Sequence, residues 1–175
     1  NIDNNDFVVT NQFELQGFKR PIYPDIILYV NGIPLVIIEC KSPFIAQWLE
    51  EAVEQKNFKK YRSTGNGYER LMFYNHILIA TNGDEARHGT ISSDVNQFQN
   101  SRWSSAYPLT IDDVEKVYGK SRGQEILIAG MLQKPHLLDL LKNYVIYQTI
   151  GNKRVKIMAK HQQYRTVTKC AKQIK

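Results

Sequence analysis

The chain has 175 residues, 42% hydrophobic and 11% aromatic, enough apolar surface to offset the entropy of ordering a single domain, so a disordered chain is excluded. The 23 Lys and Arg outnumber the 17 Asp and Glu, and the resulting charge of +6 makes a polyanion an admissible partner. No apolar run of about eighteen residues and no secretion-type N-terminus occur, so a cytoplasmic protein without a membrane partner is expected. Cys40 and Cys170 lack the number and the neighbours for a disulfide framework or a zinc site, and are expected to be reduced and non-ligating.

In chain order, FVVTNQFELQG alternates as a strand does, and Pro21 and Pro24 then break the chain. A hairpin is predicted from Asp25 to Lys41. FIAQWLEEAVEQKNFKKYRS changes period: Ile45, Trp48, Leu49, Ala52 and Val53 fall at helical spacing, which predicts one amphipathic helix, followed by a Gly-containing loop over 63–67. HILIATNGDEARHGTI predicts a buried strand, an Asn82-Gly83 turn and a shorter strand. Residues 97–108 are polar and aromatic without period and are expected to form a long surface loop. Helical patterns occupy 111–118 and 124–141, the second interrupted by Pro135; the apolar run NYVIYQTI and a basic amphipathic helix follow. Alternating strand and helix patterns predict an α/β fold, a central sheet flanked by helices.

Three charges stand out in RPIYPDIILYVNGIPLVIIECKSP. Asp25 opens the first strand, and Glu39 and Lys41 end the second after a Leu-Val-Ile-Ile run that belongs in a sheet core. Unpaired charges there are costly, and two carboxylates brought together repel unless a cation lies between them. Hydrolysis of a phosphodiester needs an attacking hydroxide and screening of the charge on the phosphorus oxygens, and a hard divalent cation supplies both. Magnesium is commonly held by one or two carboxylates plus water and phosphate oxygens. Glu39 and Lys41, two apart on a strand, share a face, while Cys40 turns away and leaves its backbone carbonyl as a possible additional ligand. An ammonium beside the metal would hold water or stabilise phosphate charge.

Convergence sets a condition on register. A regular two-residue Asn31-Gly32 turn pairs Asp25 with Ile38 and turns Glu39 away. A shared site therefore requires a three-residue loop over 31–33, with Val30 opposite Pro34, or a bulge that shifts one strand. An irregular or three-residue connection is expected, with the two carboxylates converging to within about 6 Å.

PDIILYVNGIPLVIIECKSP resembles the P-D…(D/E)-x-K nuclease motif of the restriction (R) subunit of type I restriction enzymes. NNDFVVTNQFELQG, HILIATNGDEARHGTI, LLDLLKNYVIY and KIMAKHQQYRTVTKCAK resemble other segments of that subunit in the same order. The resemblance implies a restriction-endonuclease-like mixed sheet, an N-terminally truncated nuclease domain over 1–150, and a basic helical segment over 151–175 leading into an absent ATP-dependent motor. It implies that Asp25 and Glu39 bind Mg2+, that Lys41 assists attack, and that double-stranded DNA is cut after translocation, with methylation and specificity subunits as partners. Many members of that family carry Gln-x-x-x-Tyr on the following helix; here Asn57 stands four before Tyr61 and Gln55 six before it, so either amide, with Tyr61, could position DNA or water. Gln163 matches an adenine-reading glutamine of the motor. No G-x-x-x-x-G-K-[ST] loop is present, so ATP belongs to the full-length protein only. The alternative implied function is an inactive DNA-binding or docking module that retains the nuclease fold.

Overall fold

A computed structural model describes residues 2–17, 19–55, 58–63 and 68–174. Its centre is a five-stranded sheet in sequence order: β1 (Phe7–Asn11), β2 (Ile26–Val30), β3 (Ile33–Cys40), β4 (Ile77–Thr81) and β5 (Ala86–Gly89). The β3–β4 pair is parallel and the other pairs are antiparallel, so the sheet is mixed.

The β2–β3 hairpin turns on Asn31 and Gly32, both left-handed at φ 53° and 77°, as a tight two-residue hairpin turn of this hand requires. Val30 faces Ile33 and Tyr29 faces Pro34, but Leu28 faces Val36, so Leu35 is the extra residue of a bulge. The three-residue loop expected from the sequence does not form. Its alternative does: a regular turn followed by a one-residue shift. Beyond the shift, Ile27 pairs with Ile37 and Ile26 with Ile38.

A parallel pair needs a crossover, and the described residues between β3 and β4 lie on one face of the sheet; the loop expected over 63–67 lies outside the described residues from 64 on. The single helix read from periodicity is interrupted: α1 (Trp48–Glu50) runs into a π-helical turn (Glu51–Gln55), then α2 (Phe58–Tyr61) follows, and α3 (Arg70–Phe73) leads into β4. Leu49, Val53, Phe58, Tyr61 and Leu71 bury against Ile27, Ile37, Leu78 and Ala80.

The other face packs on the C-terminal half. After β5 come α4 (Val95–Gln99), α5 (Ile111–Tyr118), α6 (Gly123–Met131) and α7 (Lys134–Asn143). Asp94 and Thr110 cap α4 and α5 with reciprocal capping boxes. Pro135 sits in the first turn of α7, where its missing N–H is harmless, so the interrupted helix is two helices. Leu127, Met131, Leu137 and Leu140 cover Val36, Ile38, Ile77 and Ile79. Burying both faces explains why β3 and β4 read as unbroken apolar runs.

Two expectations need correction. Residues 97–108 are not a surface loop: Phe98 lies in the first core and Trp103 in the second, at 0% and 1% exposure. The segment 151–175 is not wholly helical. β6 (Val145–Ile150) and β7 (Lys153–Met158) form a separate antiparallel ribbon, and the helix, α8 (His161–Ile174), starts only after it. Met158 and Tyr164 are anchored in the second core. No helix among the described residues is long and apolar enough to cross a membrane.

A candidate metal-dependent nuclease site

The site lies where β2 begins and β3 ends. On β3, Val36 and Ile38 face the second core and Ile37 faces the first, so Glu39 points to the first-core face. Ile26 and Ile38 are partners on the second-core face, and continuing their register sets Asp25 opposite Glu39 on the other. Without the Leu35 bulge, Asp25 would face Ile38 instead. One extra apolar residue in β3 therefore brings the carboxylates to the same side.

Asp25 is held at both oxygens. The Cys40 backbone N–H donates to Oδ2 at 2.7 Å, and the Gln12 side-chain amide donates to Oδ1 at 3.1 Å. Glu39 is fully buried. Burial, followed by the Asp25 charge, pushes its carboxyl up to about 8, against the lowering effect of a Tyr61 hydrogen bond and the Lys41 charge. A hydrogen bond to the Asp25 side chain adds to the rise. The carboxyl groups are thus in contact. Lys41 Nζ lies 3.7 Å from Glu39 Oε2 with its side chain 13% exposed, and its backbone N–H donates to the Thr81 carbonyl, fastening the end of β3 to β4. Ala80, the parallel partner of Glu39, is also fully buried.

Asp25, Glu39 and Lys41 are therefore brought together, and the Cys40 backbone lies between the last two. Tyr61 joins them from α2, buried at 3% exposure, its hydroxyl donating to the Tyr23 carbonyl at 3.4 Å and lying within hydrogen-bonding influence of the Glu39 carboxyl. The Gln55 side chain and Asn57 lie outside the described residues, so the choice between them is not resolved by this geometry. Gln163 is elsewhere: on α8, whose Tyr164 packs in the second core, its Oε1 accepts the Lys160 N–H at 2.9 Å and caps the helix. Sequence reasoning missed Gln12, because an exposed glutamine after a strand carries no signal of the carboxylate it meets.

The donor set fits a hard cation. Two carboxylates in contact, one of them deeply buried, are unfavourable as a bare pair, and a divalent ion between them removes both the repulsion and the raised proton affinity. Among the described residues no three His, Cys, Asp or Glu side chains gather as a metal cage. Two carboxylates are hard oxygen donors, the chemistry that suits a hard divalent cation.

A mixed sheet clasped by helices, with Asp, Glu and Lys converging at the end of its central hairpin, is a restriction-endonuclease-like α/β fold. Residues 1–97 match the family model described as "Type I restriction enzyme R protein N terminus", and the chain belongs to that family. It is 31% identical to a Methanocaldococcus jannaschii protein carrying the name of the type I restriction enzyme MjaIXP endonuclease subunit, over 97% of this chain and 16% of the relative. It is 33% identical to the type I restriction enzyme HindI endonuclease subunit of Haemophilus influenzae, over 92% of this chain and 15% of the relative. The chain thus spans about a sixth of the length of these curated relatives.

Proposed function

We propose that this chain is the nuclease portion of a type I restriction R subunit, hydrolysing phosphodiester bonds of double-stranded DNA with magnesium as cofactor. The observation that carries the reading is the Leu35 bulge, which turns the buried Glu39 onto the face of Asp25. Asp25 and Glu39 would hold the ion, with the Cys40 backbone carbonyl as a further ligand. Bound there, a divalent cation lowers the pKa of water and screens charge on the scissile phosphate. Lys41, beside Glu39, holds the attacking water in line and stabilises the charge that develops on phosphorus oxygens. Tyr61 keeps the Glu39 carboxyl oriented. An amide of Gln55 or Asn57 would help position DNA or water.

These residues read no base sequence, so site choice falls to specificity and methylation subunits of a larger complex. ATP-driven translocation falls to a motor in the longer protein, in which Gln163 would read adenine. The decisive experiment is DNA cleavage by the full-length protein with its partner subunits. Asp25→Ala and Glu39→Ala should each abolish cutting while ATP hydrolysis continues. Cutting by either variant at the wild-type rate refutes the assignment and leaves a docking or DNA-binding role for this fold.

A further inference from the structure

We propose that Gln12 is a positioning residue for this reaction, its side-chain amide aiming the Asp25 carboxylate at the cation. The inference rests on the nuclease reading above. Gln12 and Asn31 are the two non-glycine residues with positive φ among those described. Asn31 has an evident reason, the tight hairpin turn. Gln12 has no glycine-like freedom, and a left-handed backbone at φ 50° is disfavoured for an L-residue.

What that conformation secures is a double contact with Asp25. The Gln12 backbone N–H donates to the Asp25 carbonyl at 2.9 Å, one step beyond the Asn11–Ile26 pair that ends β1. Its side chain then returns to Oδ1 at 3.1 Å. Oδ2 is held from the opposite flank by the Cys40 N–H at 2.7 Å. The carboxylate is thus clamped between the strands on either side of it, with the Glu39 carboxyl beside it as a further hydrogen-bond partner. Without the amide, Asp25 loses its side-chain anchor on β1 and turns more freely about its terminal bond. Gln12 is exposed, so water competes for its hydrogen bond and its value to stability is small. The gain lies in orientation, as for groups that hydrogen-bond metal-ligating carboxylates in general.

The test is Mn2+ titration of the 175-residue chain, with thermal unfolding measured in parallel on wild type, Gln12→Met, Gln12→Gly and Asp25→Asn. Methionine keeps the length without a donor; glycine removes the side chain and relieves the left-handed backbone. Wild type should bind one ion and Asp25→Asn none. Both Gln12 variants should bind about tenfold more weakly, the lower end for such outer partners. Their unfolding midpoints without metal should match wild type for Met and match or exceed it for Gly. In the full-length enzyme, each Gln12 variant should need about tenfold more Mg2+ for half-maximal cutting while keeping most of the rate at saturation. Wild-type Mn2+ affinity in both Gln12 variants overturns the proposal, as does weakened binding that merely tracks a lowered unfolding midpoint. Absence of Mn2+ binding by wild type, or its retention in Asp25→Asn, overturns the nuclease reading itself and this proposal with it.

Discussion

Replacing Glu39 by glutamine should remove a pH dependence of stability that the site imposes on the metal-free protein. The folded state holds the Glu39 proton up to about pH 8, whereas the ordinary glutamate value is 4.5. A carboxyl whose folded pKa is raised contributes full stability below its unfolded value, and that contribution is lost as pH rises through the folded value. Each pH unit inside the window costs about 1.4 kcal/mol. Between pH 5 and pH 8 the loss is on the order of 2–4 kcal/mol, the lower end applying if water enters beside the ionised carboxylate. The substituted amide has nothing to ionise and nearly the same shape, so urea unfolding in EDTA should give the variant a flatter stability profile over that range. Absolute offsets between the proteins are immaterial; the difference in slope carries the argument. Millimolar Mg2+ should flatten the wild-type profile, because a cation that takes the place of the proton stabilises the folded state most where the carboxylate is ionised. Parallel profiles for wild type and Glu39→Gln in EDTA would refute the burial and carboxylate contact on which the site is built.

Lys41→Ala should block DNA cutting by the full-length assembly yet leave Mn2+ binding within a few-fold of wild type, as measured by titration of the 175-residue chain; normal cutting removes the lysine from the mechanism. Gly130→Ala would place a Cβ 2.5 Å from Trp103 Nε1 and 2.7 Å from the Ser105 carbonyl. It should cost about 1–3 kcal/mol in urea unfolding, and an unchanged midpoint would contradict the close packing of Trp103 on α6. The isolated chain should bind duplex DNA weakly and without sequence preference, with affinity falling steeply as salt rises, read by fluorescence anisotropy. Sequence-selective binding that survives high salt would contradict the division of labour proposed for the complex.

Some of this protein was settled by its sequence alone. The strands β3 and β4 are legible because residues buried on both sheet faces must be apolar without interruption, and the helical crossover because its apolar residues recur at helical spacing. Asp25, Glu39 and Lys41 are legible because charges abutting a buried run need a reason to be there. Tertiary structure alone decided that they meet. Leu35 and Val36 are both apolar, so the local pattern does not say which of them faces Leu28; the two cores on either side of the sheet do, by filling with Ile37 on one face and Val36 and Ile38 on the other. Phe98 and Trp103 lie in and after a short helix with no readable period, and only the pockets that receive them show that they are core. Lys153–Met158 reads as part of a basic helix until its pairing with Val145–Ile150 makes it a strand, because ladder hydrogen bonds come from a partner that local propensity does not include. The amide of Gln12 meets Asp25 for the same reason: residues thirteen apart in the chain become neighbours only when β1 pairs with β2.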